Sequence, residues 1–476
     1  MPLLSRTPSL PLRPIAAALV ASLSLAPYEA RATLFVGNCA DNGTGSLRDA
    51  LNHAAEGELI DATGLSLVCS KISLTTGVLI VANNAQKIDG PGAGNLTIDA
   101  TGNTDGGPVF FHNGHGTLEI DHVTITHGNK YLNDNTKHVG GGCISSLGSL
   151  ELTQAVVSNC TMSAGPDSHA KGGAIYANGD LTLTQSLVTG SSTHGASPFG
   201  YEMNTYGGGV FAKGTITLDR STVSGNSALN GGGIYSSFDT AVYSSTVSDN
   251  AADVGGGINC RCALQISYST IANNHARTNG GLLLGFSYTS GPRESFIRNS
   301  TITGNTISGT FSAAAMEAEI PLSIFNSTIA FNVAPLSTEG ALYSDAATLI
   351  LESTIISDNY PADVDVQTGY TVISGAKNLS PNSIATMPGD TKTECPLLEP
   401  LAWNGGPTQT HALRHTSPAI NAGNNLLLPP YDQRGTGFPR SFGGVPDIGA
   451  WEWQGNMIDD SIFHQGFDPG LGLCHT

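Results

Sequence analysis

A short phrase recurs along the middle of this 476-residue chain, and its internal spacing limits the backbone that can carry it. In the copy starting at Leu264 it reads L-Q-I-S-Y-S-T-I-A-N-N, with apolar or small residues at Leu264, Ile266, Ser269 and Ile271 and an amide at Asn274. The frame opens at Leu118/Ile120/Val123/Ile125 and continues through Leu150/Leu152/Ala155/Val157, Leu181/Leu183/Ser186/Val188 and Ile216/Leu218/Ser221/Val223. Val242/Ser245/Val247, Ile297/Ser300/Ile302, Leu322/Ile324/Ser327/Ile329 and Leu349/Leu351/Thr354/Ile356 complete it. Period-2 steps on either side of a three-residue step describe two short strands joined by a bend. Copies recur every 24 to 35 residues, so each is one supersecondary unit that stacks on the next. At roughly 3.3 Å per residue the shortest coil measures about 80 Å around, which suits a parallel β-helix with three strand faces. A leucine-rich repeat would need a Leu-x-x-Leu-x-Leu frame, and none is present. With weaker copies near Leu79/Val81 and Leu96/Ile98, about eleven rungs are expected, or roughly 50 Å of stack.

Two residue types punctuate the frame. Asn226, Asn250, Asn274, Asn305, Asn332 and Asn359 share one position, where stacked amides can bond to one another and to turn backbone. Glycine clusters follow most rungs, among them Gly140 to Gly142, Gly172/Gly173, Gly207 to Gly209 and Gly231 to Gly233. Structural turns are the reading, because no Gly-Lys-Ser/Thr or helix start follows any of them to make a phosphate cradle.

Only 12% of residues are charged, and Gly is abundant at 59 residues, a composition for stacked turns rather than helices. Residues 1–32 read as a secretory signal cleaved after Ala32. Arg6 and Arg13 precede the apolar stretch Ile15 to Ala26, and Ala30-Arg31-Ala32 is a small-x-small site. That apolar stretch is too short to cross a bilayer, and no later one is long enough either. The formal charge is −18 and becomes −20 once the three arginines and Glu29 of this segment are removed. Such a surface disfavours nucleic acid and anionic membranes. All eight cysteines follow the cleavage site, as in a disulfide-permissive compartment. Proximity along the chain suggests Cys39 with Cys69, Cys143 with Cys160 and Cys395 with Cys474, while Cys260-Arg261-Cys262 stays unassigned. Near the first coil, Ser46 to Ala55 places Leu47, Ala50, Leu51 and Ala54 on one helical face, a candidate cap for the open N-terminal end of the solenoid.

The C-terminal part carries a resemblance. C-P-L-L-E-P-L-A-W-N-G-G-P-T-Q-T-H-A-L (Cys395 to Leu413) leads into S-P-A-I-N-A-G-N (Ser417 to Asn424), D-Q-R-G (Asp432 to Gly435), P-R (Pro439, Arg440) and D-I-G-A-W-E (Asp447 to Glu452). Together they resemble the terminal module of bacterial choice-of-anchor Q domain proteins. N-C-A-D-N-G-T-G-S-L-R-D-A-L (Asn38 to Leu51) resembles the entry segment of the same secreted proteins, and Gly172-Gly173-Ala174-Ile175 resembles repeats of polymorphic outer-membrane proteins. The resemblance implies a right-handed parallel β-helix, exported and often surface-associated, and it implies no activity. The expected organisation is a signal peptide over 1–32, an N-terminal cap and first coils over 33–117, repeats over 118–360, a C-terminal cap or anchor module over 361–454 and a tail over 455–476. The tail segment Ile458 to Pro469 resembles short acidic-aromatic tails of other secreted proteins. No alternating lipid-facing strands of an autotransporter barrel are recognised.

Catalysis on a β-helix would need outward carboxylates on neighbouring rungs, as a pair for hydrolysis or as a calcium site plus a base for a lyase. The stripe Thr222, Thr246, Thr270, Thr301, Thr328 and its neighbours Ser224, Ser248, Ala272, Thr303, Ala330 face outward with no acid among them. This is a binding face rather than a reacting one. Glu119 and Glu151 share an outward register on adjacent rungs, with Asp121 two residues along, and they are the candidate catalytic residues. A solvated acidic edge is the preferred reading of them, and no catalytic role is assigned. His112, His115, His122, His127 and His138 crowd one stretch but scatter over the frame, so no metal site is assigned. Asp363 and Asp365 face the same way on one strand.

The preferred expectation is therefore a secreted or surface interaction protein, monomeric and without cofactor, meeting carbohydrate or another cell-surface ligand. The alternatives are a polysaccharide lyase or glycoside hydrolase, with Ca²⁺ in the lyase case, and a structural spacer.

Overall fold

The computed structural model describes residues 33–103, 106–132, 140–165, 168–195, 205–285 and 294–455. The expectations for the signal segment, His138, Cys474 and the tail beyond Gly455 lie outside the described residues. The chain is a right-handed parallel β-helix of about eleven turns, as its frame predicts. In one representative rung, Ile258–Cys260 lies on a third face, Leu264–Ser267 on a first and Thr270–Ala272 on a second. His275–Thr278 then runs out into a short fourth strand before the glycine turn. Stacking these rungs gives a first sheet of 13 strands and second and third sheets of 11 each.

Register follows the repeat directly. Leu181 pairs with Ile216 and Leu183 with Leu218, then Thr240 with Leu264 and Val242 with Ile266, so every inward position stacks on its own counterpart. Leu264, Ile266, Ser269, Ile271 and Asn274 are all fully buried. The three-residue step of the frame exists because each first-to-second-face corner holds one residue in the left-handed region. These are His122, Gln154, Gln185, Arg220, Ser244, Tyr268, Asn299, Asn326 and Ser353, with φ between 47 and 56°. None is glycine, so each costs on the order of 1 kcal/mol. At the six corners from Gln185 to Asn326 compensation comes from the inward serine that follows. Ser221 N donates to Ser245 Oγ at 2.9 Å, Ser245 N to Ser269 Oγ at 3.1 Å and Ser269 N to Ser300 Oγ at 3.2 Å.

The asparagine ladder forms along the next corner. Nδ2 of Asn226, Asn250, Asn274, Asn305 and Asn332 each donates to Oδ1 of the following rung's asparagine at 2.9–3.1 Å. The backbone N–H of Asn226 donates to the same Asn250 Oδ1 at 3.0 Å, and later rungs repeat this. Upstream the ladder ends on Ser191, whose N–H donates to Asn226 Oδ1 at 3.0 Å. The glycine turns beside it are required by close approach. Gly172 has φ of 67°, and a Cβ there would collide with the Ile175 carbonyl oxygen.

The N-terminal end is covered as expected. The helix Leu47–His53 starts at Ser46, whose Oγ accepts from Asp49 N at 3.1 Å while Asp49 Oδ2 accepts from Gly45 N at 2.9 Å. Its buried Leu47, Ala50 and Leu51 join the main core. The C-terminal segment divides its work. Ile373, Ala385 and Met387 pack on the far end of the main core. Leu398, Ala412, Leu413, Ala419, Ile448 and Trp451 instead make a separate core with Ala330 and Ile355 of the second face. The module bearing the family-like motifs therefore lies along the side of the solenoid.

Cys39–Cys69 and Cys143–Cys160 are disulfides, with Cα–Cα separations of 6.3 and 5.5 Å. Cys260 and Cys262, left unassigned by the sequence, pair with each other. Cys395 is also disulfide-bonded.

Candidate functional site

The carboxylates singled out by sequence come together in register but not as an acid/base pair. Glu151 stacks on Glu119, and Glu119 stacks on Lys87 one rung earlier. Lys87 Nζ lies 3.1 Å from Glu119 Oε2 and 2.6 Å from Asp121 Oδ2. Burial alone would lower the ammonium's pKa, but its hydrogen bonds and charge pairing with Asp121 and Glu119 raise it overall. The cluster is thus an ion-paired patch, and exposed Glu151 stands outside it. Lys87 sits on a rung before the clear repeats begin, which is why the sequence did not bring it to Glu119.

The histidines disperse as their frame positions imply. His112 is buried with Nδ1 2.8 Å from Ser146 Oγ and Nε2 3.0 Å from the Asn83 carbonyl, and burial lowers its pKa. His122 meets Asp89 at 2.8 Å and His127 meets Asp99 at 3.1 Å. Among the described residues no three His, Cys, Asp or Glu side chains gather with the spacing of a metal site.

A different set of acids converges on the third face, whose register the two-strand phrase does not mark. Leu283, Glu317, Tyr343 and Asp365 stack outward on consecutive rungs. Glu317 is pushed up to about 7, first by burial and then by the charges of Glu339, Glu319 and Asp345. Burial, followed by neighbouring carboxylates, also raises Glu339 and Asp345. Asp363 does not share that surface with Asp365. It precedes the strand Val364–Val366 and is fully buried, because it closes the asparagine ladder. Its Oδ1 accepts from Asn359 Nδ2 at 3.1 Å and its Oδ2 from Asn382 N at 2.9 Å. Burial, only partly offset by these bonds, pushes it up to about 6.

The hydroxyl stripe of the second face is split in two. Thr222, Ser224, Thr246 and Ser248 are partly open, whereas Thr270, Thr301, Thr303 and Thr328 are buried beneath the C-terminal module. Gln433, from the D-Q-R-G motif, is wholly buried in this interface. Its Oε1 accepts from Thr301 Oγ1 at 2.6 Å, and its Nε2 donates to Thr270 and Thr408 hydroxyls at 3.0 Å. Thr303 Oγ1 lies 2.9 Å from His411 Nε2, and Ala450 N donates to Thr328 Oγ1 at 3.0 Å. The remaining motif residues brace Gln433 from behind. Arg434 pairs with Asp432 at 2.6 Å between the rings of Phe438 and Trp451, and Arg440 Nη2 donates to the Asp447 carbonyl at 2.6 Å. Half of the face expected to take a ligand is thereby occupied by the chain itself.

Exposed rings stand on the first face and on the module. Tyr243 is 48% exposed and meets Tyr268 edge-on at 5.5 Å, with Phe296 two rungs downstream of Ala241 on the first face. Trp403 is 66% exposed on the module. No family model matches the chain, and comparison with curated proteins found none similar to it.

Proposed function

We propose that this is a secreted, surface-acting β-helix that binds carbohydrate as a monomer and performs no chemistry on it. The observation that carries the reading is the exposure of Tyr243, Phe296 and Trp403 on a scaffold whose outer faces are rich in hydroxyls and amides. Aromatic rings with adjacent polar groups suit a pyranose, which has an apolar face and an equatorial rim of hydroxyls. The ion pairing of Glu119 and Asp121 with the one ammonium of Lys87 supports binding over turnover at the patch marked by sequence. The disulfides, the signal-like first 32 residues and the resemblance to choice-of-anchor Q proteins support an extracellular address. The test is a glycan array with the full chain, run beside a polysaccharide turnover screen with and without calcium. Binding without new reducing ends or unsaturated uronates is the expected result.

A second reading, a glycoside hydrolase or lyase, draws on one observation. Glu317, pushed up to about 7 by burial and by the charges of Glu339, Glu319 and Asp345, has the protonation a general acid needs at neutral pH. Turnover that is abolished in Glu317→Gln would replace the binding reading with this one.

A further inference from the structure

The contacts of the C-terminal module show what satisfies the covered part of the second face. Thr270 Oγ1 donates to the Gln409 carbonyl at 2.7 Å and accepts from the Gln433 carboxamide. Thr301 donates to that same carboxamide, and Thr328 accepts from the Ala450 backbone amide. Apart from Thr303, which meets an imidazole, each covered threonine of the stripe is satisfied by an amide group. One rung upstream the face is open, and Thr246 and Ser248 stand in register with Thr270 and Ala272.

Aromatic rings mark the boundary between covered and open rungs. Tyr268 is the left-handed corner residue of the first covered rung, and its carbonyl accepts from Thr408 Oγ1 of the module at 3.1 Å. Tyr243, one rung upstream, packs edge-on against it and keeps 48% of its surface in solvent. Trp403 belongs to the same module hairpin as Thr408, closed by the Ala402–Thr410 bridge. The open floor carries hydroxyls and no formal charge at Thr222, Thr246 and Ser248, within a chain of net charge −18. That combination favours an uncharged ligand over a polyanion.

We propose that this step, where the module's upstream edge meets the open rungs, binds a glycan bearing N-acetyl groups. The acetamido group takes the place at Thr246 that amides of Gln409 and Gln433 take at Thr270 one rung on, and a pyranose ring lies against Tyr243. The inference rests on the carbohydrate reading above and goes beyond it by naming the site and the sugar class. An extended peptide also carries amides, but the solvent-facing rings favour the sugar.

The test is calorimetric titration of the full chain with a hexamer of β-1,4-linked N-acetylglucosamine, with cellohexaose and with a hexaasparagine peptide. The N-acetylated hexamer should bind, and cellohexaose, which has the same linkage without the acetamido group, should bind at least about tenfold more weakly. Tyr243→Ala should weaken the N-acetylated hexamer by about tenfold and Thr246→Val by about threefold, with circular dichroism and melting curves unchanged. Equal affinity for the two hexamers, tighter binding of the peptide, or undiminished binding in Tyr243→Ala would overturn the proposal. If the array finds some other glycan while the N-acetylated hexamer fails, the site assignment falls and the carbohydrate reading stands. If no glycan binds at all, both fall.

Discussion

Asp363 holds the downstream end of the asparagine ladder because a carboxylate only accepts. Each ladder amide passes its N–H to the next oxygen, so the last one, on Asn359, needs an acceptor that asks for nothing in return. Asp363→Ala would leave Asn359 Nδ2 with the Ile329 carbonyl alone and strand Asn382 N. The expected loss is about 2 kcal/mol in urea unfolding. In mid-ladder, Asn274 donates to Asn305 and the Val247 carbonyl and accepts twice from Asn250. Asn274→Ala should therefore cost more, about 3 kcal/mol. Equal losses for the two variants would show that the ladder does not act as a connected chain. Lys87→Met belongs to the same scale. It leaves the buried Asp121 carboxylate without its cation, and a loss of about 1–2 kcal/mol is expected by the same measurement, with glycan binding unaffected.

Among the structural elements, the module is the one whose role depends most on contacts made far along the chain. Gln433 meets Thr270 and Thr301 across more than a hundred residues. Gln433→Ala should loosen the module from the second face while leaving the solenoid folded. Limited proteolysis should then cut within 395–455 at least several-fold faster, and the fluorescence of Trp451, buried against Arg434, should shift to the red. Cleavage of the variant at the parent's rate would mean that the apolar contacts with Ala330 and Ile355 suffice to dock it. The strands themselves were legible from sequence because inward positions repeat with the register. Leu264, Ile266, Ser269, Ile271 and Asn274 are all buried where the frame put them. The capping helix was legible from Leu47, Ala50 and Leu51 for the same reason of periodicity. The third-face acids were not, since Glu317 and Asp365 lie 48 residues apart and only the stacking of Leu283, Glu317, Tyr343 and Asp365 aligns them. Nor was the loss of Thr270 and Thr301 as a free surface, because alternation distinguishes outward from inward but cannot say what lies outside.

Over the whole molecule, buried carboxyls set the response to pH. Glu317 and Asp363 are raised to about 7 and 6, and Glu452 is raised to about 8 by burial and then by the charge of Asp447. A raised acid binds a proton in the folded chain at a pH where the unfolded chain has released it, so these groups favour folding as pH falls from about 8 toward 5. His411 works the other way. Burial lowers it to about 4, so its contribution is present above its ordinary value near 6.5 and fades as pH falls through that value toward 4. Asp41 and Asp99 are held well below the carboxylate range by their hydrogen bonds, which outweigh burial. Their contribution is lost below about pH 4. With Glu317, Asp363 and Glu452 raised most and Glu339 and Asp345 raised beside them, against the lowered His411 and His112, the melting temperature should be higher at pH 6 than at pH 8 and should fall steeply below pH 4. A melting temperature that climbs steadily from pH 5 to pH 8 would contradict this balance.

The one-way donation along the asparagine ladder also bears on how such a chain can lengthen. A duplicated coil inserted between Asn250 and Asn274 would bring an amide that accepts from the rung before it and donates to the rung after it, so every partner already exists. The same coil added beyond Asn359 would find Asp363 in its path and no oxygen waiting on the far side. Growth by tandem copying is thus open in the interior and closed at the downstream end. The near-uniform rungs between Ile216 and Ile271, with their 24-residue spacing between Asn226, Asn250 and Asn274, are where a history of such copying would leave its trace.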